Sequence, residues 1–551
     1  MERHFRRLAT PLLFALVTTG ALADDIEIYT GPGDVPGCVA GDIDALGATL
    51  LAPAVLLDGS DPLAHADTLY FTVFRPGAGA LWPGNVKNYR IVGGADGGEG
   101  PIIVDARGAD AIDPATGLIR DTATSLWTPP RLAPDGGDPR RGGLASRLFD
   151  HDGDESPIAA SRERSVFTYT ATAGAGGTIT DLTDPANALH EDNAHLPDVN
   201  EHGRITRTML GRPGMAADAF IERLRWARGV DVTDHDDDGD ADEGRALIGA
   251  SLHAAPLIVP YGGGGDALFP ASSDGFVHAA RLEGPEGRRL AGWSWMPPDQ
   301  LARIDRMFAD RPTGGFDHGL DGPLDAWIAD GGVDGDSAGA SAPGRVTLYL
   351  GQRRGGRHYH ALDVTDFDRP AFLWSIVGGP ALPRLGQTWS RPRHTVIADY
   401  RHGATAPTPR HVLIVGGGYD TRQDDYGARA PDSVGNAVFM LDALTGEVLW
   451  WAGGTRGAGD TAPDLALADM NYSIPGDIRL IDVDGDGVTD RFYAADTGGQ
   501  LWRFDIAPRP GNLAGRITGG RIADLQRPSA HAGPPRRRTT GASTIRRTSH
   551  W

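Results

Sequence analysis

Asp482, Asp484, Asp486 and Asp490 stand at positions 1, 3, 5 and 9 of the stretch DVDGDGVTD, with Gly487 at position 6. Carboxylates at this spacing form the oxygen cage a hard divalent cation requires. Gly487 permits the sharp turn that folds the side chains inward, and Val488 at position 7 can offer its backbone carbonyl. Position 12, where an EF-hand carries a bidentate Glu, is Tyr493. The spacing predicts a calcium loop with Asp482, Asp484, Asp486, Val488 and Asp490 as ligands. The alternative is a solvated acidic turn, since Asp and Gly are common turn residues.

A second run, DHDDDGDADEGR, places Asp234, Asp236, Asp238, Asp240 and Asp242 at positions 1, 3, 5, 7 and 9 around Gly239. Its position 12 is Arg245, so it is a second candidate metal loop without a closing ligand. A third acidic cluster, Asp150, Asp152 and Asp154, lacks the Gly at position 6 and reads as a turn.

The elements that must hold the first loop are strands. Ile478, Leu480 and Ile481 precede it, and Phe492, Tyr493 and Ala494 follow, which predicts a strand, a cation loop and a strand. The whole composition agrees. With 77 Gly and 40 Pro in 551 residues, many turns between short strands are expected. A net charge of -21 argues against nucleic acid, whose phosphates need a basic surface, and suits divalent cations. A single cysteine, Cys38, excludes an internal disulfide.

The first 23 residues read as a secretory signal. Arg3, Arg6 and Arg7 precede an apolar run from Leu8 to Leu22, and Ala21-Leu22-Ala23 is a cleavage site. Residues 24–245 read as an irregular β-rich region. It contains a packed helix at 216–228, where Phe220, Ile221, Leu224 and Ala227 share one face. From about 246 to 510 one pattern recurs, an apolar strand, an Asp or polar turn, then a strand bearing Trp. Copies lie at 273–295, 357–376, 436–451 and 498–506. Such repetition predicts blades of a modified β-propeller, with each Trp packed between blades. Residues 511–551 read as a tail. From Gln526 on it has six Arg and no acid, which reads as a frameshifted or degraded gene end, with a genuine basic tail as the alternative.

Several long motifs, in order, resemble the C-terminal propeller of the PilY1 family, secreted proteins of type IV pilus assembly and adhesion. They are WPGNVKNYR (82–90), DPATGLIRDTATSLW (113–127), GQRRGGRHYHALDVTD (351–366), LGQTWSRPR (385–393), VGGGYDTRQDD (415–425), DSVGNAVFMLDALTGEVLW (432–450) and the segment 470–506 that holds the first acidic loop. The resemblance implies an exported, calcium-regulated factor that controls pilus extension and retraction, acting with minor pilins at the pilus tip and attaching to host or abiotic surfaces. It implies a location in the periplasm, on the outer membrane surface or in the fimbrium. The N-terminal adhesin domain of longer members is not readable here. The chain also stops soon after the calcium segment, where members of the family continue with further blades, so an incomplete propeller is expected.

The rival class is an enzyme on a propeller, such as a quinoprotein dehydrogenase. His358 and His360 share one strand face, but the sequence offers them no evident carboxylate partner. A secreted binding module without pilus partners is the other alternative. The resemblance favours a non-enzymatic protein.

Overall fold

The computed structural model describes residues 50–56, 68–93, 102–149, 165–170, 180–234 and 244–525. Within the last span it leaves out 246, 262–264, 283–291, 312–315, 330–343, 380–381, 401–405, 425–429 and 455–460, and between 235 and 243 it describes only Gly239 and Ala241. The signal segment, Cys38, the 150–154 cluster and the basic tail lie outside the described residues.

The fold is mainly β, as expected. Strands β1 (Leu50–Leu56), β2 (Thr68–Phe74), β3 (Pro83–Val92) and β4 (Ile102–Val104) form a first antiparallel meander. Three short strands follow, β5 (Ser165–Phe167), β6 (Thr180–Asp181) and β7 (Ile248–Gly249). The second meander is β8 (Leu257–Pro260), β9 (Asp266–Phe269), β10 (Val277–Leu282) and β11 (Gly292–Trp295). The third is β12 (Leu324–Ala329), β13 (Arg345–Gly351), β14 (His358–Asp363) and β15 (Ala371–Val377). The fourth is β16 (Arg393–Asp399), β17 (Thr408–Gly416), β18 (Ala437–Asp442) and β19 (Val448–Gly453), extended by β20 (Leu465–Ala466). The fifth is β21 (Arg479–Ile481), β22 (Arg491–Ala495), β23 (Gln500–Ile506) and β24 (Ile517–Asp524). Four-stranded meanders in chain order, with first strand β12 lying between first strands β8 and β16, are propeller blades.

Each pair of consecutive blades encloses its own apolar core. Tyr70 and Val86 of blade 1 meet Leu268 and Leu282 of blade 2. Val277 and Trp295 meet Leu348 and Phe372 of blade 3. Tyr349 and Trp374 meet Leu413 and Phe439 of blade 4. Val438 and Trp450 meet Phe492 and Trp502 of blade 5. Alternation along each strand sends one set of side chains to each neighbouring blade, so a face exposed in an isolated sheet is buried here on both sides. The tryptophans pack as expected; Trp295 and Trp450 have no exposed surface, and Trp502 almost none.

The recurring Asp turns have a local cause. The Asp363 carboxylate accepts from the Thr365 amide at 3.0 Å, and that of Asp442 from the amides of Leu444 and Thr445. Each closes a turn by mimicking a backbone acceptor.

Two expected boundaries shift. Residue 245 does not separate an N-terminal region from the propeller: β5 adds to β11 and β6 adds to β15, so the early chain supplies outer strands to blades 2 and 3. The sheet also runs beyond residue 510, since β24 pairs with β23 along its length. The helix is observed at Ala217–Arg228 and ends at Gly229, whose φ of 98° suits a left-handed cap.

Candidate metal centre

The acidic loop is the connection between β21 and β22, closed where Ile481 pairs with Arg491. The Asp482 carboxylate organises it from inside. Its Oδ1 accepts from the Gly485 amide at 2.7 Å and its Oδ2 from the Gly487 amide at 2.8 Å. Gly485 and Gly487 both have φ above 80°, a conformation that favours glycine, which is why DGDG and not a bulkier run can wrap around a carboxylate. Asp490 closes the far end, accepting from the Val483 amide at 2.8 Å, and Asp486 accepts from the Val488 amide at 2.8 Å.

Three of the expected ligands converge. Asp482, Asp484 and Asp490 each place a carboxylate oxygen within 4.8 Å of the other two. Asp486 is not one of this group. Of the second loop's candidate ligands only Asp234 is described, with φ 49° and its carboxylate accepting from the Gly239 amide at 3.2 Å; Asp236, Asp238, Asp240 and Asp242 lie outside the described residues.

The electrostatics of the loop are divided. Amide donors, led by Gly487, hold the Asp482 carboxyl below the usual carboxylate range. The neighbouring Asp486 carboxylate pushes Asp484 up. Asp482 is therefore a ready anion, and Asp484 carries the repulsion that a cation would relieve.

The loop is moored to blade 4 as well as to its own sheet. The Thr489 amide donates to the Val396 carbonyl at 2.8 Å, and the hydroxyls of Thr395 and Thr489 lie 2.6 Å apart. The Ile506 amide donates to the Asp490 carbonyl at 2.7 Å, tying the loop's last carboxylate residue to β23.

No family model matches the chain. Among curated proteins, the type IV pilus biogenesis factor PilY1 homolog of Xylella fastidiosa is 27% identical over 244 residues, 44% of this chain. The type IV pilus biogenesis factor PilY1 of Pseudomonas aeruginosa strain PAO1 is 26% identical over 253 residues, 45% of this chain. This chain is a relative of the PilY1 proteins. The matched segments span 14% and 17% of those two PilY1 chains. Among solved structures, the C-terminal domain of Pseudomonas aeruginosa PilY1 aligns over 46% of this chain and 44% of its own, at 22% identity and a TM-score of 0.30. Among the described residues of this PilY1 relative, no helix is long and apolar enough to cross a membrane.

One cluster escaped the sequence reading. His358 and His360 do have a carboxylate partner, Asp299, which lies 3.5 Å from His358 Nδ1 and 3.7 Å from His360 Nε2. Asp299 also accepts from the side-chain amides of Gln300 and Gln352, each at 2.7 Å. It arrives from the turn Pro298–Arg303, about sixty residues away in sequence, so no local spacing could announce it. Burial pushes His360 down from its ordinary 6.5 to about 4, against the opposing pull of Asp299. The unfolded imidazole thus gains its proton near pH 6.5 and the folded one only near 4. Unfolding takes up protons in that window, and stability falls as the pH drops through it, by on the order of 3 kcal/mol for this residue. Urea unfolding at stepped pH should show the loss, and His360→Gln should make it shallower between pH 6.5 and 4. An unchanged slope in the variant would assign the loss to other groups.

Proposed function

We propose that this chain is a calcium-binding, non-enzymatic propeller module of the type IV pilus machinery, exported and acting with minor pilins at the pilus tip. The observation that carries the reading is the sequence relationship to proteins named type IV pilus biogenesis factors, extending over nearly half of this chain. That name also favours a biogenesis role over a quinoprotein-type enzyme. The converging Asp482, Asp484 and Asp490 carboxylates support calcium as the ion, because an all-oxygen set suits a hard cation.

Bound calcium would neutralise the repulsion centred on Asp484 and fix the β21–β22 connection. A ligand that binds only the ordered loop shifts the equilibrium toward it by its differential affinity. The loop's moorings to β16 and β23 would carry that ordering into blades 4 and 5, where a pilin could read it. Attachment to a host or abiotic surface is the further role this reading accommodates.

The test is retention of purified minor pilins on the immobilised chain. Retention in calcium that is lost in chelator supports the whole proposal. Equal retention in both would leave the pilus role and remove calcium from it. No retention in either condition would overturn the pilus role.

A further inference from the structure

Of the 52 Lys and Arg residues in this chain, one is lysine, Lys87. Arginine stays charged at any relevant pH, whereas a lysine amine can give up its proton and become a nucleophile. Lys87 lies on β3 with its side chain wholly buried. Its Nζ donates to Oδ2 of Asp135 and to the backbone carbonyl of Arg141. The Asp135 side chain is as fully buried as its partner. The other oxygen, Oδ1, accepts from the Ser125 amide at 2.9 Å. Phe71, which pairs directly with Lys87, and Val73 and Tyr89 on the same face of the sheet form the adjoining buried core, so water has little access.

We propose that Lys87 and Asp135 form an intramolecular isopeptide cross-link, in which Nζ condenses with the side-chain carboxyl and one water is released. The dry pocket disfavours separated charges, so a proton passes from the ammonium to Oδ2, leaving a neutral amine against a carboxylic acid. The amine lone pair attacks Cγ and the C–N bond forms. The carbonyl electron pair moves onto Oδ1, where the Ser125 N–H is placed to stabilise it. An amine proton transfers to the Oδ2 hydroxyl, the Cγ–Oδ2 bond breaks, and water leaves as the carbonyl re-forms. No oxidant or cofactor enters the balance. Burial also pushes the Lys87 ammonium down toward the neutral form, against the pull of Asp135. The product would clasp the 125–142 segment to blade 1, a covalent tie in a chain whose single cysteine permits no internal disulfide.

The sole lysine makes the test direct. The purified full chain is denatured, treated with an amine-acetylating reagent and mapped by mass spectrometry. The expected result is no acetylated Lys87 and a branched peptide joining the Lys87 and Asp135 segments, lighter than their sum by one water. The Lys87→Arg chain should show the two segments separately. A wild-type chain with Lys87 acetylated would overturn the proposal. So would a water loss confined to the linear Asp135-Gly136 peptide, since an Asp-Gly step loses the same mass on closing to a succinimide.

Discussion

Asp482→Ala is expected to weaken calcium binding at the β21–β22 loop by at least on the order of 100-fold, because even loss of an outer-shell partner costs about 10–100-fold in metal affinity. Asp482 has two roles that disappear together. It is one of three converging carboxylates, and it accepts the Gly485 and Gly487 amides that bend the loop into shape. Asp486→Ala should cost less, since Asp486 lies outside the converging group and removing it relieves the charge that pushes Asp484 up. Calcium titration by calorimetry on the full chain ranks the two. Thermal unfolding gives a second readout, because a ligand present at about 100 times its Kd stabilises by about 2.7 kcal/mol. Wild-type should shift upward with calcium and Asp482→Ala should not. Equal affinities for wild-type and Asp482→Ala would place calcium elsewhere in the chain.

The loop was legible in the sequence because its chemistry is local. The aspartates at 1-3-5-9 and the two glycines all fall within nine residues, and the turn brings Asp482, Asp484 and Asp490 together while leaving Asp486 outside the group. The blade pattern was legible for a similar reason: an apolar strand, an Asp turn and a Trp strand lie within about twenty residues, and each Asp turn closes on its own neighbours. What the sequence hid was long-range. Asp299 reaches His358 and His360 from another blade's connection, and Asp135 reaches Lys87 across 48 positions. The fifth strands that β5 and β6 lend to blades 2 and 3 are two or three residues long and carry no periodicity, so the region before residue 245 looked separate. Strand β24, ITGGRIAD, contains two glycines and little apolar content, and only its pairing with β23 makes it a strand.

Trp450→Ala is expected to destabilise the chain by about 3–5 kcal/mol, the usual range for deleting a buried Trp or Phe side chain. Trp450 has no exposed surface and stands edge-on to Phe492 at 6.1 Å and to Phe504 at 5.8 Å, while those two rings stack on each other at 4.7 Å. Trp450 belongs to blade 4, and both phenylalanines belong to blade 5. The cavity would therefore open at the seam between blades, and the seam is what holds the hairpin carrying Asp482 to Asp490. Phe492 lies two residues after Asp490, so motion at the seam passes directly into the loop. Hydrogen exchange should accelerate over residues 479–506 far more than over β9 and β10, and calcium affinity should fall even though no ligand has changed. Trp450→Phe should recover most of both losses, because it restores a ring against the stacked pair of phenylalanines. If exchange instead rose equally in blades 2 and 5, the blades would be unfolding as one unit and the seam would have no separate hold on the metal loop.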